Sequence, residues 1–210
     1  MHMMGLKAIY PKKQLSVSDA THQKYPYLLQ DLSINQPNKV WCTDITSIKM
    51  RQGFVYLMAI IDVYSRTIVN WGISTTMESG FCINILQEAL SKAKPEYINT
   101  DQGSQFTASL WIKTVEESEA KVSMDGIGRW CDNIPIERFW RSAKYESTLL
   151  LCFETVQEAR QEIDRYINFY NRERPHQSLG YAVPWEVYTG QEVAEPFQFK
   201  KRISNKIGYQ

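Results

Sequence analysis

The sequence lacks the features of membrane and secreted proteins. Its longest unbroken apolar run, Phe54–Ile61, is far shorter than the about 20 residues that span a bilayer. The first ten residues contain no long apolar stretch with a small-residue cleavage site, so we expect no secretory signal. The four cysteines lie far apart, with no Cys-x-x-Cys pair and no nearby histidine. We therefore expect no zinc site, and reduced thiols in an intracellular protein.

The composition is that of a globular protein. The chain has 210 residues, of which 43% are hydrophobic and 22% charged, which suits one domain with flanking segments. The net charge of +1 points to no particular partner. Acidic residues nevertheless exceed basic ones in the central part of the chain, and basic residues exceed acidic ones on both sides. This distribution is either a chance fluctuation or the mark of a carboxylate-lined site between segments that contact phosphate.

The residue pattern divides the chain into three parts. Residues 1–37 are polar and interrupted by prolines, so we expect an extended N-terminal arm. Residues 38–190 alternate strand-like and helix-like segments, and residues 191–210 resemble a loose basic tail. Three β-rich segments come first, and helical stretches then alternate with two short strands. The pattern predicts an α/β fold, with a mixed five-stranded sheet flanked by helices. The expected strands are 40–48, 54–61, 67–73, 97–100 and 121–123.

The second half of the chain predicts a loop and two amphipathic helices. Residues 124–132 contain two glycines and no periodicity, so we expect a loop. A helical stripe from Ile136 to Ala143 follows, for which Asn133 is a plausible cap. A further helix opens at Thr155 with Glu158 three residues on, the pattern of a capping box.

Three carboxylates stand out by position. Asp44 lies within a largely apolar strand, where a carboxylate needs a partner or a metal. Asp101 follows a short strand, and strand ends in α/β sheets are common ligand sites. Glu137 lies in the first turn of the amphipathic helix. Each also has a purely structural interpretation. Asp44 could be a strand residue with hydrogen-bond partners, Asp101 could initiate a turn, and Glu137 could interact with the positive end of its helix.

Four motifs occur in order along the chain, and 35 residues separate Asp101 from Glu137. With these motifs the chain resembles the DDE transposases and retroviral integrases, and in particular the integrase-like transposases of bacterial insertion sequences. The resemblance covers about residues 1–190 and implies a ribonuclease-H-like fold for the core. The motifs are WCTDIT at 41–46, TDQGSQF at 100–106, DNIPIERFWRSAKYE at 132–146 and YNRERPHQSLG at 170–180.

The resemblance implies that Asp44, Asp101 and Glu137 are both catalytic residues and metal ligands. Two Mg²⁺ (or Mn²⁺) ions, held by carboxylate oxygens, would activate the attacking oxygen and stabilise the leaving one. The expected reaction is DNA strand cleavage followed by strand transfer during transposition. The expected partners are double-stranded DNA, as element ends and as target, and further copies of the chain. A separate helix-turn-helix protein of the same element is possible, and the expected location is the bacterial cytoplasm, associated with the nucleoid.

Contacts to DNA are expected in and beside these motifs. Arg141 and Lys144 follow Glu137 at i+4 and i+7, which places all three on one helix face. In the family that the chain resembles, a basic residue seven positions after the glutamate positions the DNA, and Lys144 occupies this position. The alternative is a solvated face with an i,i+4 ion pair. The full set of expected DNA contacts is Arg141, Lys144, Arg138, Gln105 and Arg174.

Other residues have mainly structural interpretations. Asp62, Ser65 and Arg66 match a family feature, but a turn in which Arg66 pairs with Asp62 is favoured. His176 suits a DNA contact, a subunit contact or a structural role equally well. For the tryptophans Trp71, Trp130 and Trp140, core packing is expected rather than stacking on bases.

The sequence departs from the family pattern in two places. Residues 1–10 resemble only the last turn of the helix-turn-helix-like segment that usually comes first, so an inactive, truncated DNA-binding regulator is the alternative function. Gln102 stands where relatives often have histidine, which we expect to change a neighbouring contact without removing a ligand. A tyrosine recombinase is disfavoured because the chain has only three histidines for the Arg/His cluster that such an enzyme needs.

Overall fold

A mixed five-stranded sheet organises the structure. The structure is a computed structural model, and it describes residues 25–126, 133–148 and 153–191. The sheet has the strand order β3-β2-β1-β4-β5. The first three strands are antiparallel to one another, whereas β4 is parallel to β1 and β5 is parallel to β4. The strands are β1 (Val40–Lys49), β2 (Phe54–Asp62), β3 (Ile68–Ser74), β4 (Tyr97–Thr100) and β5 (Lys121–Met124).

Helices cover both faces of this sheet. The buried side chains of α1 and α2 share one apolar cluster, and those of α3 and α4 share the other. The expected architecture, a mixed sheet flanked by helices, is therefore confirmed. No helix in the described ranges has the length and apolar character needed to cross a membrane. The helices are α1 (Ser79–Leu90), α2 (Ser109–Glu117), α3 (Ile134–Ala143), α4 (Val156–Arg172) and α5 (Pro184–Thr189).

The central strands are buried on both sides. Along β2, Leu57 and Ala59 belong to the cluster with α3 and α4, while Met58 and Ile60 belong to the cluster with α1 and α2. Successive side chains of a strand point to opposite faces, so a strand covered on both faces needs apolar residues at every position. This is why the longest apolar run of the chain is a sheet strand and not a helix.

Part of the expected N-terminal arm is docked onto the core. Residues 25–37 form no helix or strand. The backbone N–H of Leu28 donates to Oγ of Ser123 over 3.0 Å, and Leu29, Leu32 and Ile34 pack against the cluster on the α3 side. The apolar residues of this segment therefore tie it to the sheet domain. Residues 1–24 of the arm and 192–210 of the tail lie outside the described residues.

Several boundaries differ from the sequence expectation. Apolar residues recur at helical spacing from Phe81 to Ala93 and predict a helix over that range, whereas α1 ends at Leu90. The chain then makes one further turn, in which the amides of Lys92 and Ala93 bond to the carbonyl of Ala89. Met124 is buried and belongs to β5 rather than to the expected loop. Residues 127–132 of that loop lie outside the described residues.

The two expected helix caps are realised only in part. Asn133 precedes α3, but its side chain makes no capping hydrogen bond, and its buried Oδ1 has no partner among the residues that the structure describes. At α4, Oγ1 of Thr155 accepts from the N–H of Glu158 over 3.1 Å. The Glu158 carboxylate, however, accepts from the N–H of Glu154, so the reciprocal half of the capping box is displaced by one residue.

Candidate active site

Asp44 lies on β1, and Asp101 follows directly after β4, the parallel strand beside it. In the β1–β4 ladder, Val40 lies opposite Tyr97 and Cys42 lies opposite Asn99. Continuing this register by two residues brings Asp101 level with Asp44. The sheet topology therefore brings together two carboxylates that are far apart in sequence, and it does so where β4 ends.

Helix α3 contributes Glu137 to the same region. Glu137 is exposed in the first turn of α3, while Ile136, Phe139 and Trp140 are buried against the sheet. Nε1 of Trp140 donates a hydrogen bond of 2.9 Å to Oδ2 of Asp44. Because Trp140 lies one turn after Glu137, this bond ties the part of α3 that carries Glu137 to β1.

Electrostatics couple the three carboxylates. Burial raises the pKa of the Asp44 carboxyl above its usual value, and the negative charges of Asp101 and Glu137 raise it further. Hydrogen bonds from Trp140 and from the backbone N–H of Ile45, the latter 2.7 Å long, act in the opposite direction. Asp44 is therefore a half-buried carboxylate that two N–H donors hold in place within range of two further negative charges.

A close backbone approach holds Asp101. The N–H of Gly103 donates to Oδ1 of Asp101 over 2.9 Å. A Cβ atom at position 103 would lie 2.9 Å from that same oxygen and 3.2 Å from Oε1 of Gln105. Any side chain at Gly103 would therefore displace the Asp101 carboxylate, which explains the glycine in this motif.

The chemistry of these three side chains suits a hard divalent cation. Carboxylate oxygens are the protein ligands that Mg²⁺ prefers. Within the three described ranges, however, no group of three or more aspartate, glutamate, histidine or cysteine side chains could hold a metal ion as placed. The carboxylates of Asp101 and Glu137 are nevertheless near enough to Asp44 for their charges to act on it.

The basic residues of α3 differ in their surroundings. Arg138 and Arg141 are exposed, while Lys144 is half-buried at the first position of a π-helical turn, Lys144–Thr148, that follows α3. The α-helix thus ends before the i+7 position from which Lys144 was expected to share a face with Glu137. In the described part of the chain, no ion pair joins Glu137 to Arg141.

Two expected DNA contacts already have protein partners. Nε2 of Gln105 donates to the carbonyl of Met77 over 3.3 Å. Arg174 forms a bidentate pair with Glu146, with Nε–Oε2 and Nη2–Oε1 distances of 2.9 and 2.6 Å. The charge of Arg174 is therefore largely compensated within the protein, which weakens its case as a phosphate contact.

Sequence reasoning missed the hydrogen bond of Trp140 and a polar cluster beside Asp101. In this cluster Nδ2 of Asn99 donates to Asp125 over 2.7 Å, and Nε2 of Gln102 donates to the Asp125 carbonyl over 2.8 Å. Gln102 thus bonds to the backbone beside Asp101, and its effect relative to histidine stays a prediction. A signal for Trp140 was present, because its indole N–H is an obligatory donor placed one helical turn after Glu137.

The turn after β2 is structural, as expected. Oδ1 of Asp62 accepts from both the N–H and Oγ of Ser65, each over 2.7 Å, and Oδ2 accepts from the N–H of Asn38. The expected ion pair between Arg66 and Asp62 is absent from the described residues, because the carboxylate oxygens are already occupied.

Comparison with known proteins identifies the family. Two family models described as "Integrase core domain" match residues 34–129 and 118–184. The transposase of insertion sequence element IS904 from Lactococcus lactis is 37% identical over 191 residues, which cover 88% of this chain and 76% of that protein. The chain belongs to the integrase-core transposases of bacterial insertion sequences. An uncharacterized protein of insertion element IS600 from Shigella sonnei is 36% identical, and the match spans 60% of its length.

Solved structures confirm the ribonuclease-H-like fold of this integrase-core transposase. The HTLV-2 integrase catalytic core domain, solved in complex with magnesium, matches with a TM-score of 0.54 at 19% identity. That match covers 73% of this chain and 97% of the viral domain. A chain of a simian T-cell lymphotropic virus intasome, in complex with a PP2A regulatory subunit, has a TM-score of 0.61 at 15% identity, covering 87% of this chain and 65% of its own. None of these findings favours the alternative of an inactive regulator.

Proposed function

We propose that this chain cleaves and joins DNA strands in a divalent-metal-dependent reaction during transposition. The observation that carries the proposal is the convergence of three motif carboxylates. Asp44 lies on β1, Asp101 follows β4 and Glu137 lies on α3, and the charges of Asp101 and Glu137 act on Asp44. A phosphodiester transfer needs negative charge to be stabilised on the attacking and leaving oxygens, which a carboxylate-bound cation supplies.

In this proposal Asp44, Asp101 and Glu137 hold two Mg²⁺ or Mn²⁺ ions. When bound, these ions supply an activated attacking oxygen and a stabilised leaving oxygen. Carboxylates without a cation between them repel one another, so we infer that metal binding draws the three side chains together. The residues that prepare the site are Trp140 and Gly103, which orient Asp44 and Asp101 by one hydrogen bond each.

The DNA contacts that we propose come chiefly from α3. Arg138 and Arg141 are exposed, and in the described residues neither has an ion-pair partner. Guanidinium groups bind phosphate oxygens with paired hydrogen bonds, and such contacts position a duplex without reading its sequence. Lys144 and Gln105 are weaker candidates, because the first is half-buried and the second bonds to Met77.

The proposal extends to domain organisation and partners. Residues 38–190 form the catalytic core, residues 1–37 an N-terminal arm, and residues 191–210 a basic tail. The working form is a homo-multimer, because two element ends must be processed together, and a helix-turn-helix protein of the same element can assist recognition of the ends. The protein acts in the bacterial cytoplasm on nucleoid DNA. Double-stranded DNA is the substrate both as element end and as target.

The test is Mn²⁺-dependent nicking and strand transfer on labelled duplex ends. Wild type is compared with Glu137→Gln, which removes one negative charge from the carboxylate set. Glu117→Gln is the matched control, since Glu117 is an exposed residue on α2 that pairs only with Lys113 among the described residues. We expect products from wild type and Glu117→Gln, and none from Glu137→Gln or in the presence of EDTA. Products that persist in EDTA, or in Glu137→Gln, would refute the assignment.

A further inference from the structure

The docked arm lies beside the edge of the sheet next to the carboxylate site. Strand β5 is the edge strand on this side, and its neighbour β4 ends directly before Asp101. The N–H of Met124 on β5 donates to the carbonyl of Pro26 over 3.4 Å. Two residues further along the arm, the N–H of Leu28 donates to Oγ of Ser123 over 3.0 Å. The arm therefore satisfies a backbone group of an edge strand and also reaches one of its side chains.

A line of buried hydrogen bonds leads from the arm into the sheet. Ser123 and Asn99 lie directly opposite each other on β5 and β4, and both are fully buried. Oγ of Ser123 accepts from Leu28 and donates to Oδ1 of Asn99 over 2.8 Å. Nδ2 of Asn99 in turn donates to Oδ1 of Asp125 over 2.7 Å. An ionised carboxylate only accepts hydrogen bonds, so Asp125 fixes which end of the Asn99 amide faces it.

Asp125 joins this line to the turn that carries Asp101. Its backbone N–H donates to the carbonyl of Thr100 over 2.9 Å, and its carbonyl accepts from Nε2 of Gln102 over 2.8 Å. Thr100 and Gln102 are the residues on either side of Asp101. Both neighbours of Asp101 are thus attached to Asp125, whose own side chain is held by Asn99.

Hydrogen bonds rather than packing hold the first residues of the Asp101 turn. Asp101 is exposed, and Gln102 and Gly103 are only partly buried. Hydrogen bonds to ionised groups are about twice as strong as those between neutral groups. A buried amide that loses its partner also keeps the full cost of its desolvation. Both reasons apply to the bond between Asn99 and Asp125, so we expect it to be a main support of this turn.

We propose that Asn99 is a positioning residue for Asp101, and that the docked arm supports the active site through it. This inference rests on the proposed function, in which Asp101 holds a metal ion. It adds Ser123, Asn99 and Asp125, which lie outside the four sequence motifs. Asn99 acts on Asp101 through Asp125, and Ser123 connects Asn99 to the arm. Displacing the arm would therefore weaken the support of the turn without changing any metal ligand.

The test compares Asn99→Ala and Ser123→Ala with the wild-type chain by calorimetric titration with Mn²⁺. Asn99→Ala removes the whole amide, whereas Ser123→Ala removes only the hydroxyl between Asn99 and the arm and is the milder change. We expect Mn²⁺ to bind about tenfold more weakly to Asn99→Ala, and more weakly by a smaller factor to Ser123→Ala, because Asp101 is then less well oriented. Single-turnover nicking should fall at limiting Mn²⁺ and recover at saturating Mn²⁺.

Asn70→Ala is the matched control. Asn70 is also a buried asparagine of the sheet, and its Nδ2 donates to the carbonyl of Ile85 over 2.9 Å and to the carboxylate of Glu88 over 3.2 Å. It lies on β3, at the opposite edge of the sheet from β5. We expect this variant to lower the thermal unfolding midpoint, as Asn99→Ala does, and to leave the Mn²⁺ affinity unchanged.

Two results would overturn the proposal. Wild-type Mn²⁺ affinity in Asn99→Ala or in Ser123→Ala would show that the hydrogen-bonded line serves the fold alone. An equal loss of Mn²⁺ affinity in Asn70→Ala would show that any destabilisation of the sheet has this effect. If Asn99→Ala does not fold, the comparison of Ser123→Ala with Asn70→Ala decides. A wild type that neither binds Mn²⁺ nor nicks DNA would instead contradict the proposed function, and this inference with it.

Discussion

The hydrogen bond from Trp140 to Asp44 gives the sharpest prediction. The Trp140→Phe variant removes the indole donor and retains an aromatic ring in a position that is only 6% exposed. Asp44 would keep a single donor, the N–H of Ile45. The carboxylate could then rotate away from the direction in which the 2.9 Å bond now holds it. We therefore expect Trp140→Phe to impair the site more than it impairs the fold.

The expected size of the Trp140→Phe effect follows from the fact that the hydrogen-bond acceptor, Asp44, is a carboxylate. Hydrogen bonds to charged groups contribute about 1.5–3 kcal/mol, and the lower end applies here because Asp44 is only half-buried. A free-energy change of about 1.4 kcal/mol corresponds to about tenfold in rate or affinity. Losing a residue that orients a metal-ligating carboxylate costs about 10–100-fold in metal affinity or activity. We expect a loss of about tenfold in Mn²⁺ affinity and in the single-turnover nicking rate.

Phe139→Leu separates this effect from a loss of packing. Phe139 is also buried and makes an edge-to-face contact with Tyr170, but its side chain has no N–H or O–H to donate to Asp44. Both variants should lower the thermal unfolding midpoint, whereas only Trp140→Phe should weaken Mn²⁺ binding measured by calorimetry. If both variants bind Mn²⁺ equally and nick at equal rates, Trp140 acts through packing alone and the reasoning is refuted.

Three further predictions concern other parts of the structure. Gly103→Ala should displace the Asp101 carboxylate, because the new Cβ would lie 2.9 Å from Oδ1, and should reduce the nicking rate with little change in the thermal unfolding midpoint. Burial by itself would raise the pKa of Glu146. The hydrogen bonds and the positive charge of Arg174 outweigh this effect, so the pKa of Glu146 lies below its usual value. Urea unfolding should therefore show Glu146→Gln to be less stable than wild type by about 0.5 kcal/mol at neutral pH, a small value because both side chains are partly exposed. That difference should be complete above a pH of about 4.3 and disappear as the pH falls through the lowered folded-state pKa. Burial raises the pKa of the fully buried Cys82 thiol to about 11, so iodoacetamide should modify it only after unfolding, as mass spectrometry would show.

Local sequence patterns predicted the elements well. The strands around the turn at Gly53 and the short strand 97–100 were recognised from β-branched residues and breakers, and the structure confirms them. The predicted ends of the helices differ from the structure in two places. The apolar pattern continues to Ala93, beyond the end of α1, and a π-helical turn replaces the α-helix at Lys144. Apolar periodicity records which side chains are buried, and it does not record which backbone hydrogen bonds form.

The catalytic assignment of Asp44, Asp101 and Glu137 stays a prediction that the nicking assay tests. The sequence motifs indicated these residues because chemistry that needs several carboxylates places them at characteristic spacings. Their arrangement in space was inaccessible to the sequence. It depends on the parallel register of β1 with β4 and on the packing of α3, and both are contacts between segments far apart along the chain.

The sequence by itself determined the order of strands and helices, the family and the candidate carboxylates, since these follow from local patterns and ordered motifs. Only the tertiary structure decided which partners the polar groups have. It gave Asp44 an indole donor and paired Arg174 with Glu146. The physical reason is that hydrogen bonds and charge pairs act over a few ångströms, and those distances are set only when distant segments of the chain pack together.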